Sequence, residues 1–173
     1  MAAANIDPGG PGSHPPLTRS DAWLLAAIAD GSHDGRPVTL RDFVNDADWL
    51  NRAIPTFDEV SFGLPRLIAA GYVTVAFDDA GALMFRANPK AINLRGSIEA
   101  DALGGVLFAM NEAVGTAPYP EPEREDRSLG RLPSLTREDF DAAVSGNAEE
   151  MDRLSKPLID AARALMRRRN RGS

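Results

Sequence analysis

The 173-residue sequence contains no cysteine and only two histidines, His14 and His33. Without thiols there are no disulfides, no thiol nucleophile and no thiolate metal site. A histidine metal site would need both imidazoles plus carboxylates, and no ligand spacing joins them. Aromatic residues are few, at 6%. No apolar run approaches the roughly 20 residues that span a bilayer. The formal net charge is −6, so the overall field does not attract nucleic acid, and any such contact needs a local basic surface. Neither GxGxxG nor GxxxxGK[ST] occurs, and no serine sits in a nucleophile-elbow glycine pattern. Adjacent carboxylates such as Asp78-Asp79 and Glu149-Glu150 read as a turn and a helix start. The expectation is a non-catalytic cytoplasmic protein with no cofactor and no metal.

What is present is enough apolar residue, 43%, for a sizeable core. Residues 1–17, rich in Ala, Gly and Pro, read as a disordered leader. A first helix starts near Thr18, with Trp23, Leu24, Ala27 and Ile28 on one face. It ends at Asp30-Gly31-Ser32. Val38 suggests a brief strand. Thr39 then caps a second helix with Asp42 at the box position, and Leu40, Phe43, Val44 and Ala47 form its inner face. Thr56, with Glu59 three residues on, caps a third helix carrying Phe57, Val60, Leu64, Leu67 and Ile68 in one stripe. Pro65 is expected to kink that helix without dividing it, and Gly71 to close it. The period then changes to two: Val73, Val75 and Phe77, a turn at Asp78-Asp79-Ala80-Gly81, then Leu83 and Phe85 before Asn88-Pro89.

A lone hairpin is marginal in water, so this one must pack on the helices. Three helices plus a hairpin form the winged-helix arrangement, a variant of helix-turn-helix. The fold class expected is mainly α with a small β-hairpin, a winged helix-turn-helix over residues 18–95 followed by C-terminal helices. The segment LPRLIAAGYVTVAFDDAGALMFRAN resembles the recognition helix and wing of bacterial winged-helix regulators. The chain is similar, more loosely, to the PadR-like group, including its AphA-like members; the resemblance covers Asp21 to Asn88. It implies a dimeric transcriptional regulator that binds duplex DNA, with a C-terminal helical region making the dimer.

Ser97 is expected to cap a fourth helix over residues 96–115, with Ile98, Ala102, Leu103, Val106, Leu107, Met110 and Val114 on a broad apolar face. Residues 116–134, with Pro118, Pro120, Pro122 and Pro133, read as an extended linker or surface loop. Residues 135–171 read as a C-terminal helical dimerisation segment. It opens with a short helix capped by Thr136, with Leu135 stapled on Phe140, and ending at Ser145-Gly146. Asn147 caps the next, in which Met151, Leu154, Leu158, Ala162, Leu165 and Met166 hold the stripe and Pro157 bends or splits it.

The candidate DNA contacts are Arg41, Arg52, Ser61, Phe62, Arg66, Arg86 and Lys90. Arginine and lysine serve for phosphate, and the third helix for base edges. Against this, Asp58 and Glu59 open that helix, and between Arg36 and Arg95 seven basic residues meet seven acidic ones. Phe62 falls off the apolar stripe, and is either buried by a neighbour or an exposed anchor. The candidate dimer contacts are Val106, Met110, Leu154, Leu158 and Leu165, with an intramolecular pairing of the same helices as the alternative. The alternative function is a winged-helix protein-interaction module without DNA binding, and an effector ligand is not identified by any motif.

Overall fold

The computed structural model describes residues 15–32, 34–99, 103–118, 121, 123 and 125–169. Among them the chain is mainly helical, with a small three-stranded sheet. The elements are α1 (Arg19–Gly31), β1 (Val38–Thr39), α2 (Leu40–Asn51), α3 (Phe57–Ala69), β2 (Val73–Phe77), β3 (Leu83–Ala87), α4 (Pro89–Gly96), α5 (Leu103–Val114) and α6 (Arg137–Arg169). No described helix is long and apolar enough to cross a membrane.

The helix starts follow from side-chain capping. Thr18 and Thr56 accept from the backbone three residues on, and Asp21 and Glu59 close the capping boxes from the other side. Thr39 caps α2 through the Asp42 amide. Leu17, inside the segment read as leader, is buried, and residues 1–14 of that segment lie outside the described residues. α1 was expected to bury one face. Instead every residue from Asp21 to Ala29 is buried. The reason is its position: it packs against α2, α3, α4, α5 and β3, which makes it the central rod of the core. Trp23 fits there because its indole Nε1 donates to the Ala47 carbonyl at 2.9 Å.

The hairpin forms as its alternation requires. β2 and β3 pair antiparallel from Val73 with Ala87 to Phe77 with Leu83. β1 adds to the other side of β3, giving the order β1-β3-β2. The turn is held by Asp78, whose Oδ1 accepts from the Ala80 and Ala82 amides at 2.9 and 2.8 Å. Gly81 takes φ +83° there, which an L side chain resists. Phe85 closes the sheet onto α2 through an edge-on contact with Phe43, centroids 5.6 Å apart.

The second half departs from the sequence reading at three places. Asn88-Pro89 ends the strand as expected, but the proline is also the first residue of α4, where its missing N–H costs nothing. The fourth helix of the sequence reading is thus two: Ser97 ends α4 and does not begin a helix, and α5 starts at Leu103. The two C-terminal helices are one. α6 runs 33 residues through Gly146 and Pro157 without a break. Arg41 lies across Gly146, and its Nη2 donates to the Gly146 carbonyl at 3.0 Å.

One carboxylate in the helical core sits against its own chemistry. Asp46 on α2 is half-buried beside Asp42 and Asp30, and burial first, then these two charges, push it up to about 6. Its folded value exceeds its unfolded one, so the folded state holds the proton more tightly. Stability from this group is full below about pH 4 and lost as pH rises through 6. Asp46→Asn removes that loss. Thermal melts of the variant and parent should coincide most closely near pH 4 and separate in favour of the variant toward pH 7. A gap that does not widen over this range would count against the assignment.

Candidate interaction surface on α3

The exposed face of a third helix is where a helix-turn-helix protein would meet DNA. In this chain that face is closed by a strap formed by the described residues of 116–134, the stretch read as a linker. Its described residues tie it to two elements. On α1, the Arg19 amide donates to Glu123 Oε1 at 2.6 Å, and the Arg19 guanidinium donates to the Ala117 and Glu121 carbonyls at 3.0 and 3.1 Å. On α3, the Leu132 amide donates to the Ser61 carbonyl at 2.9 Å. That carbonyl is free because its helical partner four residues on is Pro65, which has no N–H. The proline leaves α3 undivided, as expected, and frees an acceptor that the strap fills. Leu132 and Leu135 are buried beside it.

Arginines then cover the rest of the face. Arg131 pairs with Asp58 at 3.0 Å. Phe62 lies under two guanidinium groups, Arg127 at 4.4 Å and Arg131 at 5.0 Å. Phe57 takes Arg137 at 4.2 Å and Arg131 at 5.4 Å, and meets Phe140 of α6 edge-on at 5.8 Å. Glu59 accepts from Ser20 Oγ at 2.8 Å. The chemistry of this face is carboxylate and aromatic ring, which suits arginine and repels phosphate.

The seven candidate DNA contacts are scattered by the fold. Arg66 does not project outward. It is 1% exposed and points into the α1–α3 contact, where Nε and Nη2 form a bidentate pair with Asp21 at 2.7 and 2.8 Å. Its Nη1 donates to the Asp126 carbonyl of the strap at 3.0 Å. Ser61 is fully buried, with its hydroxyl directed at the Asp58 carbonyl. Phe62 is half-buried, as the neighbour-buried alternative expected, under strap arginines. Arg41 is engaged by Glu150 of α6. Lys90 donates to the Ala70 carbonyl at 3.0 Å and stands 3.9 Å over the Tyr72 ring. Arg52 is exposed at the end of α2 with φ +56°, its guanidinium 5.6 Å from the exposed Trp49 ring. Arg86 is exposed on β3.

The five candidate dimer contacts also part company. Val106 and Met110 are buried within the protomer, but α5 packs on α1 and α2, whereas the intramolecular alternative paired it with the last helix. Leu154 on α6 is 58% exposed. Leu158 and Leu165 also lie on α6, and their side chains fall outside the described residues. His14 and His33 lie outside them as well. Among the described residues no group of three metal-ligating side chains is arranged to hold an ion.

Asp21, Arg127, Arg131 and Arg137 are the residues that sequence reasoning missed. The signal for Asp21 was its place three residues after Thr18, a capping box before an apolar run. No local pattern announces the strap arginines. No protein-family model matches the chain, and comparison with curated proteins and with solved structures finds no match.

The Asp21–Arg66 pair yields a direct test. Removing one partner leaves a buried charge uncompensated, which costs about 3–5 kcal/mol. Arg66→Ala should lower the urea midpoint accordingly, and Arg66→Lys should fall between, since an ammonium cannot span both oxygens. A change of less than about 1 kcal/mol for Arg66→Ala would show the pair to be dispensable.

Proposed function

We propose that this chain is a non-catalytic protein-interaction module built on a winged-helix-like frame, and that its third helix does not read DNA. The frame is supported by the order helix, strand, helix, helix, hairpin over residues 19–87. The observation that carries the functional reading is the occupancy of the α3 outer face: Asp58, Phe57 and Phe62 are taken by Arg131, Arg127 and Arg137 of the same chain. A helix presented to a major groove needs its outer side chains free and its local charge compatible with phosphate. Here neither condition is met. Arg66, the one basic residue of α3, is spent inside the core on Asp21. The sequence carries neither a phosphate-binding glycine motif nor a nucleophile-elbow serine that would favour the catalytic alternative.

The regulator reading and the module reading separate in one titration. Phosphate contacts release counterions, so true duplex binding weakens steeply between about 50 and about 200 mM salt. Fluorescence anisotropy of a diverse labelled duplex pool should show no such salt-dependent association with this protein. Binding that falls steeply over that range, and falls further with Arg52→Ala or Arg86→Ala, would restore the DNA-binding regulator and overturn the proposal.

A further inference from the structure

The last helix changes character along its length. In its first part Phe140, Ala143 and Asn147 are buried at 5, 7 and 3% exposure, on the seam where α6 packs against α2. The same spacing continues at Met151 and Leu154, yet these are 46 and 58% exposed, and Ile159 is 46% exposed. From Met151 to Asp160 every residue whose burial is described is exposed except Ser155, which is intermediate. The seam therefore runs on past the body that covers it. The sequence prolongs it at Leu158, Ala162 and Leu165, with the three-and-four spacing of a two-helix contact.

Such an arm is not self-sufficient. Most helix stability in proteins comes from packing an apolar face, and Pro157 removes one helical hydrogen bond from the middle of this one. Charge identifies what the arm pairs with. Its near part, residues 147–160, carries Glu149, Glu150, Asp152 and Asp160 against Arg153 and Lys156. Its far part, residues 161–169, carries Arg163, Arg167, Arg168 and Arg169 and no acid. A second arm laid parallel would set arginine against arginine and glutamate against glutamate. Laid antiparallel, the acidic part of each faces the basic part of the other.

We propose that two copies of this chain pair through their α6 arms, antiparallel, about a twofold axis near Leu158. That register sets Met151 opposite Leu165 and Leu154 opposite Ala162, and brings Glu149 level with Arg167 of the partner. Arg153 level with Arg163 is its one like-charge opposition. The arrangement is isologous and closes on itself, so it yields a dimer and not a filament. It deepens the interaction-module reading by naming the arm as the contacting surface and a second copy as the partner. Its test leaves the DNA question untouched, so either can fail alone.

The absence of native cysteine makes the test clean. Light scattering should give twice the 18.5 kDa chain mass in the micromolar range. Leu154→Glu should raise the dimer dissociation constant at least tenfold while leaving the thermal melt of a dilute sample unchanged, because Leu154 is 58% exposed in the protomer. Under mild oxidation Leu158→Cys should crosslink to itself. Met151→Cys alone should not, but should crosslink when mixed with Leu165→Cys. A monomer mass throughout the micromolar range would overturn the proposal. So would Met151→Cys crosslinking alone as readily as Leu158→Cys, which is the mark of a parallel pair.

Discussion

The buried pair between Asp21 and Arg66 holds together parts of the chain that have little else in common. Asp21 belongs to the first turn of α1, where its Oδ2 also accepts from the Thr18 amide at 2.8 Å. Arg66 belongs to the last turn of α3 and reaches the Asp126 carbonyl of the strap at 3.0 Å. One carboxylate thus caps a helix, neutralises an interior arginine and, through it, anchors a segment more than a hundred residues away. A buried ion pair gains little net energy over a well-packed apolar substitute, but it tolerates few alternative geometries. Gly63 allows the close approach: a Cβ there would lie 2.6 Å from Asp21 Oδ1 and 2.9 Å from Leu24 Cδ1. The α1–α3 distance, the pair and the strap are set together.

That constraint explains the character of the α3 face. With its only basic side chain turned inward, the helix presents Asp58, Phe57 and Phe62. A surface of carboxylate and ring quadrupole attracts guanidinium groups; the strap supplies two and the start of α6 a third. Exposed stacks of this kind each contribute about 0.5–1 kcal/mol, so the cover depends on several acting with the buried leucines. A globally acidic protein thereby keeps much of its arginine busy internally, and its surface field stays negative.

The first half was largely legible in the sequence because its signals are local. The capping residues Thr18, Thr39 and Thr56, the change of period after Gly71 and the Asp78 to Gly81 turn each act within a few residues, and each element formed where they indicate. The second half was less legible because its determinants are tertiary. Gly146 reads as a helix end, yet Arg41 from α2 lies over it and α6 continues. Pro89 reads as a stop and is equally a start. The proline-rich stretch lacks periodicity, so it reads as a linker; its order comes from a carbonyl on α3 and a guanidinium on α1, neither visible in its own residues. The site suffered from the same limit. Arg66 is a plausible phosphate ligand by type, and only the meeting of α1 and α3 assigns it to Asp21.

Pro65 sets intrinsic preference and tertiary fit in opposition. By helix propensity it is the worst residue for its position, some 3 kcal/mol below alanine in a helix interior. Any scheme that improves a sequence helix by helix would replace it. The replacement would restore an amide directed at the Ser61 carbonyl, and Leu132 would have to share an acceptor it now holds alone. The local defect in α3 is the reason the strap has a fixed address, and a chain optimised for its secondary structure would lose the means of specifying that contact.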